Sequence, residues 1–266
     1  MALSRARRGV ALAALAATVL AATASASALK TKTAHLGAVR ATITWRDARF
    51  FEAKDVRLRI TRSGQTALDT TKLGVDRPQT IAVRDLDTDG EAEVIVDFYT
   101  GGAHCCFFSR IYGYGGSTYV PGSHVWGDLT YKLRDLNHDG APELTSADDH
   151  FAYEFTAYAF SAFPTQIWDY RSRRLVDVTR SYPALIRRDA TRLWKESLRA
   201  RKSDYADVRG ILAAWVADQY RLGRQAHAWS TMRSLNRAGV LGGDSAWPRR
   251  TAYLAKLKKF LESHGY

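Results

Sequence analysis

Cysteine is almost absent: the 266-residue chain has two, and they are neighbours, Cys105 and Cys106. That excludes a disulfide-dense miniprotein and an all-cysteine zinc site within one chain. Long apolar runs are lacking after the first 28 residues, which excludes a bundle of membrane-spanning helices. No G-x-S-x-G, H-E-x-x-H, P-loop or dinucleotide fingerprint occurs, so no motif names a nucleophile or general base. Acidic residues are scarce in one part only. Residues 29–179 hold 18 Lys/Arg against 20 Asp/Glu, a net charge of −2. Residues 180–266 hold 18 against 7, a net of +11, and most of the formal +12 of the whole chain lies there.

What is present begins with an address. Arg5, Arg7 and Arg8 precede an apolar run from Val10 to Ala22, and two A-x-A sites follow at Ala24–Ala26 and Ala26–Ala28. This layout predicts a secretory signal peptide over 1–28, since the run falls short of the ~20 residues a membrane span needs. The protein is therefore expected outside the cytoplasm, secreted or associated with the cell envelope. The alanine- and arginine-rich style suggests a bacterial exporter.

From 29 to 180 the pattern is β. Ala41–Trp45, Val56–Thr61, Thr80–Val83, Glu93–Asp97 and Phe107–Tyr114 alternate apolar and polar residues, the period of half-buried strands. Tyr153–Phe163, dense in aromatics, reads as a further strand, and Trp168–Val178 as a hairpin turning near Ser172. Over 181–266 the period changes to that of amphipathic helices. The stripes run through Ile186, Ala190, Leu193 and Trp194, then Val208–Tyr220, then Trp229, Met232 and Leu235, then Tyr253–Leu261. Ser203 or Asp204 is the expected cap of the second helix; Ser245, with Pro248 in the first turn, is that of the fourth. The predicted class is α+β: a mainly antiparallel β domain of meander, sandwich or propeller-like form, then a small basic helical module.

One internal repeat stands out. Val83-Arg-Asp-Leu-Asp-Thr-Asp-Gly-Glu-Ala-Glu-Val94 aligns without a gap to Leu133-Arg-Asp-Leu-Asn-His-Asp-Gly-Ala-Pro-Glu-Leu144, at an offset of 50 residues. Asp85, Asp87 and Asp89 alternate along a tight loop, so their oxygens can converge. Gly90 permits a left-handed bend. The carbonyl of Glu91 and the side chain of Glu93 would complete the shell. The second copy offers Asp135, Asn137, Asp139, the carbonyl of Ala141 and Glu143. A set of hard oxygen donors suits Ca2+ better than Mg2+, which demands a strict octahedron, or Zn2+, which prefers nitrogen and sulfur. An EF-hand would need a glutamate at loop position twelve, where Val96 and Ser146 stand, and a helix where strand-like residues follow. A pair of metal-free Asp-Gly turns is the competing reading.

These loops resemble those of FG-GAP (VCBS) repeat proteins, whose repeats form blades of the integrin alpha-chain β-propeller. The resemblance covers roughly 80–115 and 130–160. It implies calcium held between strands of a blade-like unit, while a closed propeller would need typically 4–8 blades. Two loops in about 150 β residues suit a compact sheet domain that borrows the blade unit, or a pair of blades capped by other strands. Tyr99–Cys106 is also similar to a stretch in secreted bacterial proteins of this repeat type.

Three readings of His104-Cys105-Cys106 stay open. They are a vicinal disulfide forming a rigid turn, two buried free thiols, and a soft-metal or redox site that would draw on His124 or His150. Adjacent Asp148 and Asp149 read as a surface turn. Trp194, Trp215 and Trp229 fall on helix stripes and read as core, whereas Trp126, beside Gly127, is the expected exposed aromatic. Basic clusters, above all Arg249, Arg250, Lys256, Lys258 and Lys259, form either a solvated face or an anion-binding surface. For an exported protein the fitting anions are wall polymers, phospholipid headgroups or acidic glycans, with a protein ligand as the alternative and nucleic acid disfavoured by compartment. Together these features point to a secreted, calcium-stabilised binding or interaction protein more than to an enzyme. The rival is an exported hydrolase whose cleft the sequence does not mark.

Overall fold

The computed structural model describes residues 27–203 and 207–266, with the Cys105 side chain also outside the described set. Residues 1–26 of the expected leader and the expected cap Asp204 therefore fall outside it. Among the described residues twelve strands come first and four α-helices last, so the class is α+β.

The strands form three four-stranded antiparallel sheets, each a simple meander. The first holds β1 (Leu29–Leu36), β2 (Val39–Asp47), β3 (Ala53–Arg62) and β4 (Gln65–Thr70). The second holds β5 (Arg77–Arg84), β6 (Glu93–Gly102), β7 (Cys105–Tyr114) and β8 (Tyr119–Gly127). The third holds β9 (Lys132–Arg134), β10 (Glu143–Ala147), β11 (Thr165–Arg171) and β12 (Arg174–Asp177). The hairpin expected near Ser172 is there, with Ser172 and Arg173 both at positive φ.

The middle sheet buries both faces. Val94, Val96 and Phe98 of β6 pack with Ile43, Leu58 and Ile60 of the first sheet. Ile95, between them, points the other way and joins Ile111, Trp126, Leu144 and Tyr170, a core shared with the third sheet. Successive side chains of a strand point to opposite faces, so one apolar run serves two cores. That explains why β6 shows no polar alternation from Glu93 to Val96.

The helices are α1 (Pro183–Ala200), α2 (Arg209–Arg221), α3 (Gln225–Arg237) and α4 (Arg250–Ser263). Pro183 opens α1, where its missing N–H costs nothing. Helix α2 is buried on every side from Arg209 to Tyr220, the mark of a central helix wrapped by others. Helix α4 begins at Arg250 and not near Ser245. The segment before it is held open because the carbonyls of Asp244 and Pro248 accept hydrogen bonds from Arg209 (2.9 and 2.8 Å).

Two other expectations are corrected. Residues 153–163 form turns and a short 3-10 segment instead of a strand. The aromatic density there serves the helices: Phe151 and Phe155 belong to the same core as Leu193, Leu212, Tyr253 and Leu261. Trp126 is 4% exposed, with its Nε1 donating to Ser109 Oγ at 2.7 Å, so it is a core residue. No helix among the described residues is long and apolar enough to cross a membrane.

Candidate metal centre

The two loops occupy the same place in two sheets. Residues 85–92 join the first and second strands of the middle sheet, and 135–142 join those of the third. The strand pairs around them match, with Arg84 opposite Glu93 and Arg134 opposite Glu143. The repeat is thus structural, one hairpin built twice.

The internal hydrogen bonds are also duplicated. The N–H of Leu86 donates to Glu93 Oε2 at 2.8 Å, and that of Leu136 to Glu143 Oε2 at 2.7 Å. Gly90 donates to Asp85 Oδ2 and Gly140 to Asp135 Oδ2, both at 3.1 Å. Glu91 donates to Asp89 Oδ1 at 2.7 Å, and Ala141 to Asp139 Oδ1 at 2.9 Å. Gly90 and Gly140 sit at φ near +90°, a region glycine enters without a Cβ penalty. Thr88 and His138 share a left-handed conformation, and His138 is exposed, as expected of a residue pointing away from the loop.

The loops then part company. In the first, Asp85, Asp87 and Asp89 each present a carboxylate oxygen within 4.8 Å of the others. Asp85 Oδ1 and Asp87 Oδ1 are buried and have no hydrogen-bond partner. Unpaired buried carboxylate oxygens are costly unless a cation satisfies them. Burial raises the Asp87 carboxyl, and the neighbouring Asp89 charge adds to that. Glu93, 3% exposed, is pushed up to about 8, chiefly by burial. The donor set is all oxygen and half-enclosed, and it fits a hard divalent cation. The Glu91 side chain leaves the loop to pair with Arg62, whose Nε lies 2.9 Å from Oε2, so only its backbone is free to face the centre.

In the second loop Asp135, Asn137 and Asp139 are exposed. The Asn137 amide donates to Asp139 Oδ2 at 2.8 Å and accepts from the Asp139 N–H at 3.0 Å. Glu143 Oε1 accepts from the Tyr182 hydroxyl. This loop closes on itself with an amide where the first has a third carboxylate.

The remaining candidates disperse. Cys106 is disulfide-bonded, which removes the reading of two free thiols. His104 lies tilted against Tyr158 with ring centres 4.4 Å apart, while His124 lies between Trp126 and Trp168 at 4.1 and 4.5 Å and is pushed down to about 4 by burial. His150 bonds Asp148 at 2.7 Å. The three histidines therefore have three separate surroundings. Among the described residues, the Asp85–Asp87–Asp89 group alone brings three His, Cys, Asp or Glu side chains close enough to share an ion. Of the basic cluster, Arg249, Arg250, Lys258 and Lys259 are exposed. Lys256 is held by Glu154 at 2.9 Å, and Lys258 faces Glu262 at 3.8 Å. Lys256 and Lys259 line one groove with His150 and His264, whereas Lys258 lines another with Trp229 and Arg233.

Sequence reasoning placed Asp148 on a surface turn, yet it is 3% exposed. Its Oδ2 accepts from the Tyr266 hydroxyl at 2.5 Å, which in turn receives Arg221 at 3.1 Å. The partners lie over 70 residues away, so no local pattern could have marked the site. Asp218 was also missed. Its one signal is a charge inside the apolar run of α2.

Comparison with known proteins adds three findings. The family model described as sll0997 C-terminal domain matches residues 186–265, the helical part. A probable thylakoid lumen protein, sll0997, from Synechocystis sp. is 30% identical over 205 residues, covering 74% of this chain and 60% of its own length. An uncharacterized protein, y4bJ, from Sinorhizobium fredii is 33% identical over 145 residues, covering 53% of this chain. The chain thus spans less than two thirds of either relative, 60% of the first and 23% of the second. No solved structure matches it.

Proposed function

We propose that the chain is an exported, calcium-stabilised binding or interaction protein built from FG-GAP/VCBS-like, blade-like sheets. The observation that carries this reading is the first loop: three convergent carboxylates, two with buried unpaired oxygens, in a hairpin the molecule builds twice. Asp85, Asp87, Asp89 and Glu93 hold the ion, with the Glu91 carbonyl. The second loop, Asp135, Asn137, Asp139, Ala141 and Glu143, is the weaker site, because its amide and its Tyr182 contact already satisfy it. The ion's role is structural: it removes carboxylate repulsion and pins β5 to β6, so it stabilises the folded state by linkage.

The location rests on the leader-like first 28 residues and on the lumenal name of the Synechocystis relative. The exposed basic residues of the helical part, Arg249, Arg250, Lys258 and Lys259, suit an anionic wall polymer or glycan as the macromolecular partner.

Thermal melting tests the ion. Calcium is expected to raise the midpoint by several degrees over chelator, and Asp87→Asn to remove most of that gain. An unchanged midpoint, with no bound metal by elemental analysis, would overturn the reading.

A further inference from the structure

The helical part carries a site of its own. A cavity of about 420 Å3 opens between α1, α2 and α3, within the size range of small-molecule pockets. Trp194 and Trp215 form its aromatic wall, their rings 5.0 Å apart. Arg187 of α1 and Arg224, just before α3, reach its rim, and no carboxylate among the described residues lines it. Both arginines are exposed, and the ion pairs recorded along these helices use Arg192 and Arg209 instead.

One further observation points to an anion. Helix α3 opens without a side-chain cap, and His227 of its first turn lines the cavity. Its first N–H groups therefore lack the intrahelical partners and the cap that would satisfy them, and they favour an anion.

We propose that this cavity binds a small planar organic anion. A carboxylate or phosphate group sits between Arg187, Arg224 and the start of α3, and a flat ring lies against Trp194 and Trp215. The site is independent of the metal loops and of the basic face of α4.

Calorimetric titration of the full chain, together with the indole N–H signals of Trp194 and Trp215, tests this. The probes are phenyl phosphate and benzoate for the whole pharmacophore, with phenol and inorganic phosphate as its halves. Phenyl phosphate or benzoate is expected to saturate and shift both indole signals, at least tenfold more tightly than either half. Which of the two binds better distinguishes a phosphate from a carboxylate ligand. Arg187→Gln with Arg224→Gln is expected to weaken binding at least tenfold with an unchanged melting temperature. The proposal fails if neither ring anion moves the indole signals up to about 10 mM, well past the millimolar range of weak sites. It also fails if inorganic phosphate binds as well as phenyl phosphate, or if the double variant binds unchanged.

Discussion

Arg209 is fully buried, and its environment accounts for its whole guanidinium. Nε lies 2.9 Å from Asp207 Oδ1, while the terminal nitrogens reach the carbonyls of Asp244 and Pro248. One side chain thus fixes the path between α3 and α4. Removing one partner of a buried ion pair leaves the other uncompensated, at a cost of about 3–5 kcal/mol. Arg209→Met is expected to lose that much in chemical denaturation, and adding Asp207→Asn to recover part of it. Asp218 presents the opposite case. Both its oxygens are buried and unpaired, with Asp189 and Arg192 of α1 facing it and Arg221 one turn on. Burial, then the Asp189 charge, raises its carboxyl from 3.8 to about 9. The folded state therefore keeps a proton that the unfolded chain gives up above about 4, and stability falls as pH rises between those values. Asp218→Asn is expected to melt with the parent near pH 4 and several degrees above it at pH 8. A constant gap across that range would mean the carboxyl is ionised in the fold. Neither residue announces its role in the sequence, because a buried charge is defined by partners on other elements.

At the scale of elements, the hairpins were legible because their information is local. Alternating carboxylates, a glycine at the bend and a closing glutamate fall within nine residues, 85–93, and recur at 135–143. Strands β2, β3, β5, β6, β7, β11 and β12 were legible for the same reason, whereas β4, β8 and β9 went unread, as did β1, whose residues are nearly all exposed and carry no apolar stripe. One difference between the two loops is a single atom, an amide nitrogen at Asn137 in place of a carboxylate oxygen at Asp87. Asn137→Asp is expected to lower the melting temperature in chelator by adding repulsion, and to enlarge the calcium-dependent gain. An unaltered gain would show that the second hairpin holds no ion even with three carboxylates. The packing of helices was less legible. At Gly210 a Cβ would stand 2.4 Å from the Phe160 carbonyl oxygen, so this glycine lets α2 approach the turn at 156–161. Gly210→Ala is expected to cost about 1–3 kcal/mol by overpacking.

At the scale of the whole molecule, a boundary near 180 follows the change of periodicity but not the division of the cores. Between β10 and β11, adjacent strands of the third sheet, the chain leaves at 148 and returns at 164. On that excursion Phe151 and Phe155 enter the helical core, with rings 4.9 and 5.2 Å from that of Phe260. Asp148 takes the Tyr266 hydroxyl, and Glu154 takes Lys256. Arg221 of α2 donates to the Thr165 carbonyl at the first residue of β11. The third sheet is therefore threaded through the helical part, while the core joining the first two sheets contains no residue beyond Tyr119. A chain truncated after 180 would expose Phe151 and Phe155 and leave Asp148 without its tyrosine. Its hydrogen exchange is expected to show protection over β1–β8 and its loss over β9–β12, with dye binding to the bared aromatic surface. Retained protection in β10 and β11 would mean that Leu144, Ile167 and Tyr170 hold the third sheet against the second unaided. The helices would then be an appendage. As packed, they close the sheet's open side, and the third sheet and the helical part belong to one cooperative body.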